Sequence, residues 1–158
     1  MERNLYLNKL IRKKNNGLIK VITGIRRSGK TYLLFELFYD YLIKSGVDKD
    51  HIIKIALDDR INKKYRDPDI LCEYVHDVVK DDQIYYVLLD EVQMVSEFED
   101  VLNSFLHMKN VDTYVTGSNA KFLSKDIITE FRGRGDQVHL FPLSFAEYMS
   151  CLLYTSDA

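Results

Sequence analysis

The chain has 158 residues, of which 46% are hydrophobic and 29% charged, and its 22 basic and 24 acidic side chains give a net charge of −2. This length and composition are typical of one folded domain with its own hydrophobic core, and they exclude a disordered tail and a fibrous repeat. The near-neutral charge argues against a dedicated nucleic-acid-binding module, although it leaves open a local basic patch.

The N-terminal stretch MERNLYLNKLIRKK has no apolar core of the signal-peptide type. No apolar run in the chain approaches the ~20 residues that are needed to cross a bilayer. The two cysteines, Cys72 and Cys151, have no metal-binding spacing and provide no disulfide framework. We therefore expect a cytoplasmic protein with reduced thiols and no contact with membranes.

Predicted helices and strands alternate along the chain. Short β-branched and apolar runs predict strands at 18–23, 51–57, 84–89, 111–116 and 137–141. Apolar residues at helical spacing, together with start and stop signals, predict helices at 3–14, 30–45, 67–80, 97–108, 126–131 and from 144 onwards. The run IYYVLL at 84–89 is apolar on both faces, which is typical of a strand inside a parallel sheet that helices cover on both sides. The alternation predicts an α/β fold with a five-stranded, mainly parallel sheet.

The loop after the first predicted strand reads GIRRSGKT and matches the pattern G-x-x-x-x-G-K-[ST]. Its glycines allow a tight turn that points backbone N–H groups inward, and these groups, with the positive end of the following helix, can hold phosphates. Lys30 would reach the β- and γ-phosphates, and Thr31 would offer its hydroxyl to magnesium. The predicted nucleotide-binding residues are Gly24, Ile25, Arg26, Arg27, Ser28, Gly29, Lys30 and Thr31.

A pair of acidic residues, Asp90 and Glu91, directly follows the third predicted strand. Asp90 would hold Mg²⁺ through a water molecule. Glu91 would orient or deprotonate the attacking water, since a protein that transfers phosphoryl groups mainly positions reactants and neutralises charge. The alternative is a solvated strand end with two acidic side chains.

Polar residues also follow the fourth predicted strand, in the sequence TGSN. A side chain there would lie beside the Asp90 strand and face the γ-phosphate, with Asn119 as the first choice and Ser118 as the second. The alternative is an ordinary turn whose asparagine caps the next segment. In the sequence FRGRG, Arg132 and Arg134 are candidates for a catalytic arginine finger, which a neighbouring subunit often supplies; a solvated surface loop is the alternative.

Four segments together resemble the prokaryotic AAA-type ATPases of the AAA+ superfamily, in which the P-loop domain precedes a C-terminal domain of uncharacterised function (the DUF4143 type). The segments are VITGIRRSGKTYLL, YYVLLDEVQ, VTGSNAKFLS and FRGRGDQVHLFPLSFAEY. The resemblance covers residues 1–150. Its more specific parts are the acidic strand followed by Gln93 and the PLSF stretch.

The resemblance implies a sheet with strand order 5-1-4-3-2. It also implies ATP and Mg²⁺ as cofactors rather than GTP, because nothing in the chain resembles the base-reading motif of GTPases. By position, Lys30 and Thr31 match the first family motif, Asp90 and Glu91 the second, and Asn119 or Ser118 the sensor. The chain stops before the helical lid and the C-terminal domain of such proteins.

The expected function is ATP binding and hydrolysis that drives or gates the missing C-terminal part. One alternative is a signalling switch that binds ATP and turns it over slowly, and another is an ATPase associated with DNA or with mobile elements. The expected partners are ATP, a second copy of the chain that supplies an arginine in trans, and a protein client or DNA.

The end of the chain, CLLYTSDA at 151–158, is a separate case. The string TGT CTC TTA TAC ACA TCT GAC GCT encodes it and resembles the transposase-end adapter used in sequencing libraries. We expect residues 151–158 to be adapter read-through, the alternative being a natural C-terminal helix. The expected organisation is then one AAA-type ATPase domain at 1–150.

Overall fold

The computed structural model describes residues 2–25, 28–118 and 133–141. The strands are β1 (Ile19–Thr23), β2 (Ile52–Ala56), β3 (Tyr85–Asp90), β4 (Val111–Gly117) and β5 (Gly135–His139). The α-helices are α1 (Glu2–Arg12), α2 (Lys30–Tyr32), α3 (Tyr39–Lys44), α4 (Pro68–Val78) and α5 (Phe98–Leu106). A π-helical segment, Leu33–Phe38, connects α2 directly to α3. Short 3-10 helices lie at Lys49–His51, Arg60–Arg66 and Val92–Met94.

The five strands form one sheet in the order β2-β3-β4-β1-β5, and every neighbouring pair in it is parallel. This order is the expected 5-1-4-3-2 read from the opposite edge. The prediction of an α/β fold around a five-stranded parallel sheet is therefore confirmed. In such a sheet the carboxyl ends of all strands lie at one edge, where loops from several strands meet.

Successive residues of each strand supply two different hydrophobic cores, because side chains alternate between the faces of a sheet. In β3, Val87 and Leu89 belong to the core that α4 and α5 cover, whereas Tyr86 and Leu88 belong to the core beneath α1 and the helix that begins at Lys30. Tyr85 and the next four apolar residues of β3 are buried, as their continuous apolar run predicts, and the final residue Asp90 is buried with them. The result is a three-layer arrangement of helices, sheet and helices.

The last described strand differs from its prediction. The apolar pattern placed it at 137–141, whereas β5 begins at Gly135 and ends at His139. The two residues that the pattern missed, Gly135 and Asp136, pair with Ile19 and Lys20 of β1. Their place in the strand comes from this pairing across the chain, and nothing in their own side chains indicates it.

The segment between β2 and α4 also differs, since the sequence pattern predicts no helix there. Asp59 begins the 3-10 helix Arg60–Arg66 by accepting a hydrogen bond from the N–H of Ile61 (3.1 Å). Asp67 caps α4 in the same manner, accepting from Asp69 (2.9 Å) and Ile70 (3.2 Å), as Asp67-Pro68 predicted. The starts of both helices are thus set by an aspartate that accepts hydrogen bonds from backbone N–H groups of the first turn.

Several predicted features lie outside the described residues, namely the helix at 126–131, the helix from 144 onwards and the segment 151–158. None of the helices in the part of the chain that the structure describes is both long and apolar enough to cross a bilayer.

Candidate functional site

The phosphate-loop sequence lies at the carboxyl end of β1 and opens the helix that begins at Lys30. Gly24 has a φ of 149°, and a Cβ atom added there would lie 2.7 Å from the carbonyl oxygen of Leu140 and 2.8 Å from Oγ of Ser28. Gly29 has a left-handed φ of 93°. Both positions require glycine, for lack of space at Gly24 and for backbone conformation at both.

The side chain of Lys30 folds back over this loop. It is 4% exposed, and its Nζ donates to the carbonyl oxygens of Gly24 and Ile25 at 2.9 Å each. The hydroxyl of Ser28 is buried, and no hydrogen-bond partner for it lies among the described residues. A buried cation and an unsatisfied buried hydroxyl in one tight loop suit an anionic ligand with many oxygen atoms.

The next side chain, Thr31, connects the loop to the acidic end of β3. Its hydroxyl lies 3.0 Å from each carboxylate oxygen of Asp90, which is 3% exposed. Burial raises the pKa of the Asp90 carboxyl above its usual value, and hydrogen bonds from Thr116 and Thr31 oppose that rise. A buried carboxylate beside a hydroxyl is a set of hard oxygen ligands that fits Mg²⁺. A bound divalent cation would also favour the charged form of this carboxylate.

Glu91 follows Asp90 and has a left-handed backbone, with φ 55° and ψ 53°. Its carboxylate accepts hydrogen bonds from the hydroxyl of Ser118 at 2.9 and 3.1 Å, and from the side-chain amide of Gln93. Ser118 was the second choice for a residue facing the γ-phosphate, and its contact in the structure is with Glu91. Gln93, known from the sequence only as part of a family pattern, is a second partner of the same carboxylate.

Sequence reasoning missed Thr116, which contacts both acidic residues. Its side chain is fully buried in β4, where Oγ1 donates to Oδ1 of Asp90 (2.6 Å) and accepts from the backbone N–H of Glu91 (2.9 Å). Strand alternation could have indicated it, because Thr116 is two residues before the candidate Ser118 and alternate residues of a strand share a face, although β4 ends at Gly117. Its threonine side chain suits a buried strand equally well, so the residue type alone carried no signal.

The structure thus brings Thr31, Asp90, Glu91, Thr116 and Ser118 together at the carboxyl edge of the sheet. Four other predicted site residues lie outside the described part of the chain: Arg26, Arg27, Asn119 and Arg132.

Arg134 is described, and it lies at the opposite edge. It is exposed, and its carbonyl oxygen accepts from the N–H of Ile19 (2.8 Å), at the start of β1. The phosphate loop begins after the end of β1, where Thr23 pairs with His139. His139 is five positions after Arg134 along the strand, or roughly 16 Å. The backbone of Arg134 therefore lies at the amino edge of the sheet, away from the phosphate loop of its own chain.

Comparison with known proteins places this chain in a family. Residues 16–149 match the AAA domain family. The chain belongs to this family. An uncharacterised protein of Haemophilus influenzae is 33% identical over 150 residues, which cover 94% of this chain and 37% of that protein. An uncharacterised protein of Methanocaldococcus jannaschii is 33% identical over 135 residues, which cover 83% of this chain and 28% of that protein. The chain thus spans about a third of the length of these two relatives.

Solved structures confirm the fold of this AAA domain. The ORC1 protein of Aeropyrum pernix in complex with DNA has a TM-score of 0.63 at 14% identity, over 98% of this chain and 49% of that one. AMPPCP-bound DnaA from Aquifex aeolicus has a TM-score of 0.59 at 16% identity, over 96% and 48%. The chain therefore has the AAA+ P-loop fold, and its family identifies it as a nucleotide-binding module.

Proposed function

We propose that this AAA domain binds ATP with Mg²⁺ and hydrolyses the β–γ phosphoanhydride bond. The observation that carries the proposal is the contact between Thr31 and Asp90, which joins the phosphate loop to the acidic end of β3 within hydrogen-bonding distance. The AMPPCP-bound state of DnaA, a protein with the same fold, supports an adenine nucleotide.

Each residue has a separate task in this mechanism. Lys30 exchanges its loop carbonyls for oxygens of the β- and γ-phosphates, and the amides of the loop hold the remaining phosphate oxygens. Thr31 and Asp90 would hold the metal ion, which would neutralise negative charge on the phosphates. Glu91 orients the attacking water and accepts its proton, for which the carboxylate must turn from Ser118 or Gln93 toward that water.

ATP hydrolysis by this domain would act on another part of a longer protein. Since both relatives extend far beyond the aligned region, we propose that hydrolysis drives or gates a further part of the molecule, of the DUF4143 type that the sequence resemblance suggests. Two alternatives keep the same site: a slow ATP-dependent switch, and an ATPase that acts on DNA. The ORC1–DNA complex favours the second of these as a candidate, and salt-dependent DNA binding by the full-length protein would support it.

Two substitutions test the proposal on the full-length protein. Lys30→Ala should abolish ATP binding measured by calorimetry. Glu91→Gln should keep ATP affinity and lower turnover, measured as phosphate release, roughly 10²–10⁴-fold. Lys49→Ala, at an exposed lysine of a 3-10 helix, is the control for loss of a positive charge.

The outcomes separate the alternatives. Unchanged ATP affinity in Lys30→Ala would show that the phosphate-loop assignment is wrong. Full turnover in Glu91→Gln would remove Glu91 from the mechanism. A wild-type protein that binds ATP tightly and releases no phosphate would be the switch rather than the hydrolase.

A further inference from the structure

We propose that Thr116 is a positioning residue that sets both acidic side chains of the site, one for the metal ion and one for the water. The inference rests on the proposed ATP hydrolysis and adds to it a residue that no sequence motif assigns. It is argued from the fully buried Thr116 hydroxyl in β4, which is hydrogen-bonded to Asp90, the last residue of β3, and to Glu91, the residue after it.

The two hydrogen bonds use the hydroxyl once as a donor and once as an acceptor. A hydroxyl has a single proton to donate, and Thr116 donates it to Oδ1 of Asp90 at 2.6 Å. Its oxygen accepts from the N–H of Glu91 at 2.9 Å. Serine can make both bonds, whereas valine has the shape of threonine and can make neither. The chemistry of the side chain, rather than its volume, is therefore what the site uses.

The first bond fixes the direction of the Asp90 carboxylate. Thr116 holds it from the side of β4 while Thr31 contacts both of its oxygens at 3.0 Å from the phosphate loop. A carboxylate held on two sides presents its remaining lone pairs in one direction. A metal ligand that is oriented in this way binds the ion without first losing rotational freedom.

The second bond fixes the direction of Glu91. The left-handed backbone of Glu91 (φ 55°) is unfavourable for a residue other than glycine, and the bond from its N–H to Thr116 stabilises it. The direction of the Glu91 side chain follows from this backbone conformation. Ser118, the residue that follows β4, contacts the carboxylate itself. β4 thus supplies one hydroxyl for the backbone of Glu91, and the residue that follows β4 supplies another for its carboxylate.

The test compares Thr116→Val with Thr116→Ser in the full-length protein. Valine should lower kcat and raise the Mg²⁺ concentration for half-maximal activity by ~10–100-fold, the usual effect of losing a partner of a metal ligand. Serine should stay close to wild type. ATP affinity measured in EDTA should be the same in all three proteins, because the phosphate loop is untouched. Thr113→Val, a buried threonine of the same strand, controls for the substitution itself.

Binding gives a readout that does not depend on turnover, namely the gain in ATP affinity when Mg²⁺ replaces EDTA. Thr116→Val should lose this gain in affinity, and Thr116→Ser should keep it. If the valine variant does not fold, Thr116→Ala is a second variant without the hydroxyl. If the wild type shows the gain but no turnover, the proposed hydrolysis fails while Thr116 is still tested. A valine protein with the wild-type gain and kcat, or a serine protein that loses both, would overturn the role of Thr116.

Discussion

Gly24 and Glu91 are two of the candidate-site residues whose backbone conformations ordinary side chains avoid, and each contacts a residue that is distant in the sequence. Gly24 approaches the carbonyl oxygen of Leu140, the residue after β5, so closely that a methyl group does not fit. Glu91 keeps a left-handed backbone with the help of Thr116 in β4. At the scale of single residues, the site is a set of local conformations that the rest of the sheet stabilises.

A pair of glycine substitutions separates the two reasons why Gly24 must be glycine, its backbone conformation and its close contact with Leu140. Gly24→Ala meets both a left-handed φ and a clash with the carbonyl of Leu140, whereas Gly46→Ala meets a left-handed φ of 101° with nothing within 4 Å. Gly46→Ala should lower the free energy of unfolding by about 1–2 kcal/mol and leave ATP affinity unchanged. Gly24→Ala should lose more stability and also bind ATP more weakly, because the loop must move away from Leu140.

Chemical denaturation and calorimetry of both variants measure the two quantities. Equal ATP affinity in Gly24→Ala and Gly46→Ala would mean that the close approach to Leu140 does not shape the phosphate loop.

At the scale of elements, β1 and β4 are joined by a buried ion pair as well as by their ladder of backbone hydrogen bonds. Lys20 is fully buried and pairs with Asp112, which also accepts from the hydroxyl of Tyr114 (2.7 Å) and from the N–H of Asn15 (2.9 Å). This cluster lies near the amino ends of the strands, away from the phosphate loop. It connects the segment after α1 to the middle of the sheet.

Burial lowers the pKa of Lys20 below its usual value of 10.5, and Asp112 opposes the shift. Removing the partner charge by Asp112→Asn should destabilise the protein by about 3–5 kcal/mol at pH 7, since it leaves a buried ammonium without a counter-charge. Between the lowered pKa and 10.5 the unfolded chain binds the proton that the folded chain has released, so stability attributable to Lys20 rises with pH there. The loss in free energy of unfolding that Asp112→Asn causes should therefore become smaller from pH 7 toward pH 10.

Urea unfolding of wild type and Asp112→Asn at both pH values gives the measurement. Asp40→Asn is the matched control, because it breaks the exposed pair of Asp40 with Lys44 and should change little at either pH. If Asp112→Asn loses as much free energy of unfolding at pH 10 as at pH 7, the loss does not come from a buried Lys20 charge.

At the scale of the whole molecule, the two edges of the parallel sheet carry different features. The phosphate loop, Asp90 and Glu91 lie at the carboxyl edge, whereas Arg134 precedes β5 at the amino edge. Arg134 is exposed, and its backbone lies at the opposite edge of the sheet from the loop that would bind the phosphates. If Arg134 takes part in hydrolysis, it must do so at the site of another copy.

Mixing two inactive proteins tests this arrangement. Arg134→Ala should keep ATP affinity and lose turnover by roughly 10³–10⁵-fold if it is the finger. Lys30→Ala should bind no ATP but still carry the arginine. Phosphate release from their mixture should exceed the sum of the two alone, because each supplies what the other lacks.

Arg60→Ala, at an exposed arginine of a 3-10 helix, controls for the loss of a positive charge. Arg132→Ala, measured in parallel, decides which of Arg132 and Arg134 is the arginine finger. Wild-type turnover in Arg134→Ala, or a mixture no more active than its parts, would exclude Arg134.

Much of the fold could be predicted because its signals are local. The buried strand β3 follows from a continuous apolar run, the start of α4 from Asp67-Pro68, and the phosphate loop from glycines and a lysine at fixed spacing. The acidic pair could be placed at the same edge as the loop because parallel strands end at one edge. The fifth strand was predicted two residues too late, because Gly135 and Asp136 join the sheet by pairing with β1.

The sequence by itself determined the α/β class, the loop at 24–31 and the position of Asp90 and Glu91, since each depends on residue types close together in the chain. Only the tertiary structure decided that Thr116 would hold both acids and that Arg134 would lie at the far edge. Those outcomes depend on strand order and register, which bring together residues far apart in sequence. A buried hydroxyl acquires its role from the groups that packing places around it, and no neighbour in the chain specifies them.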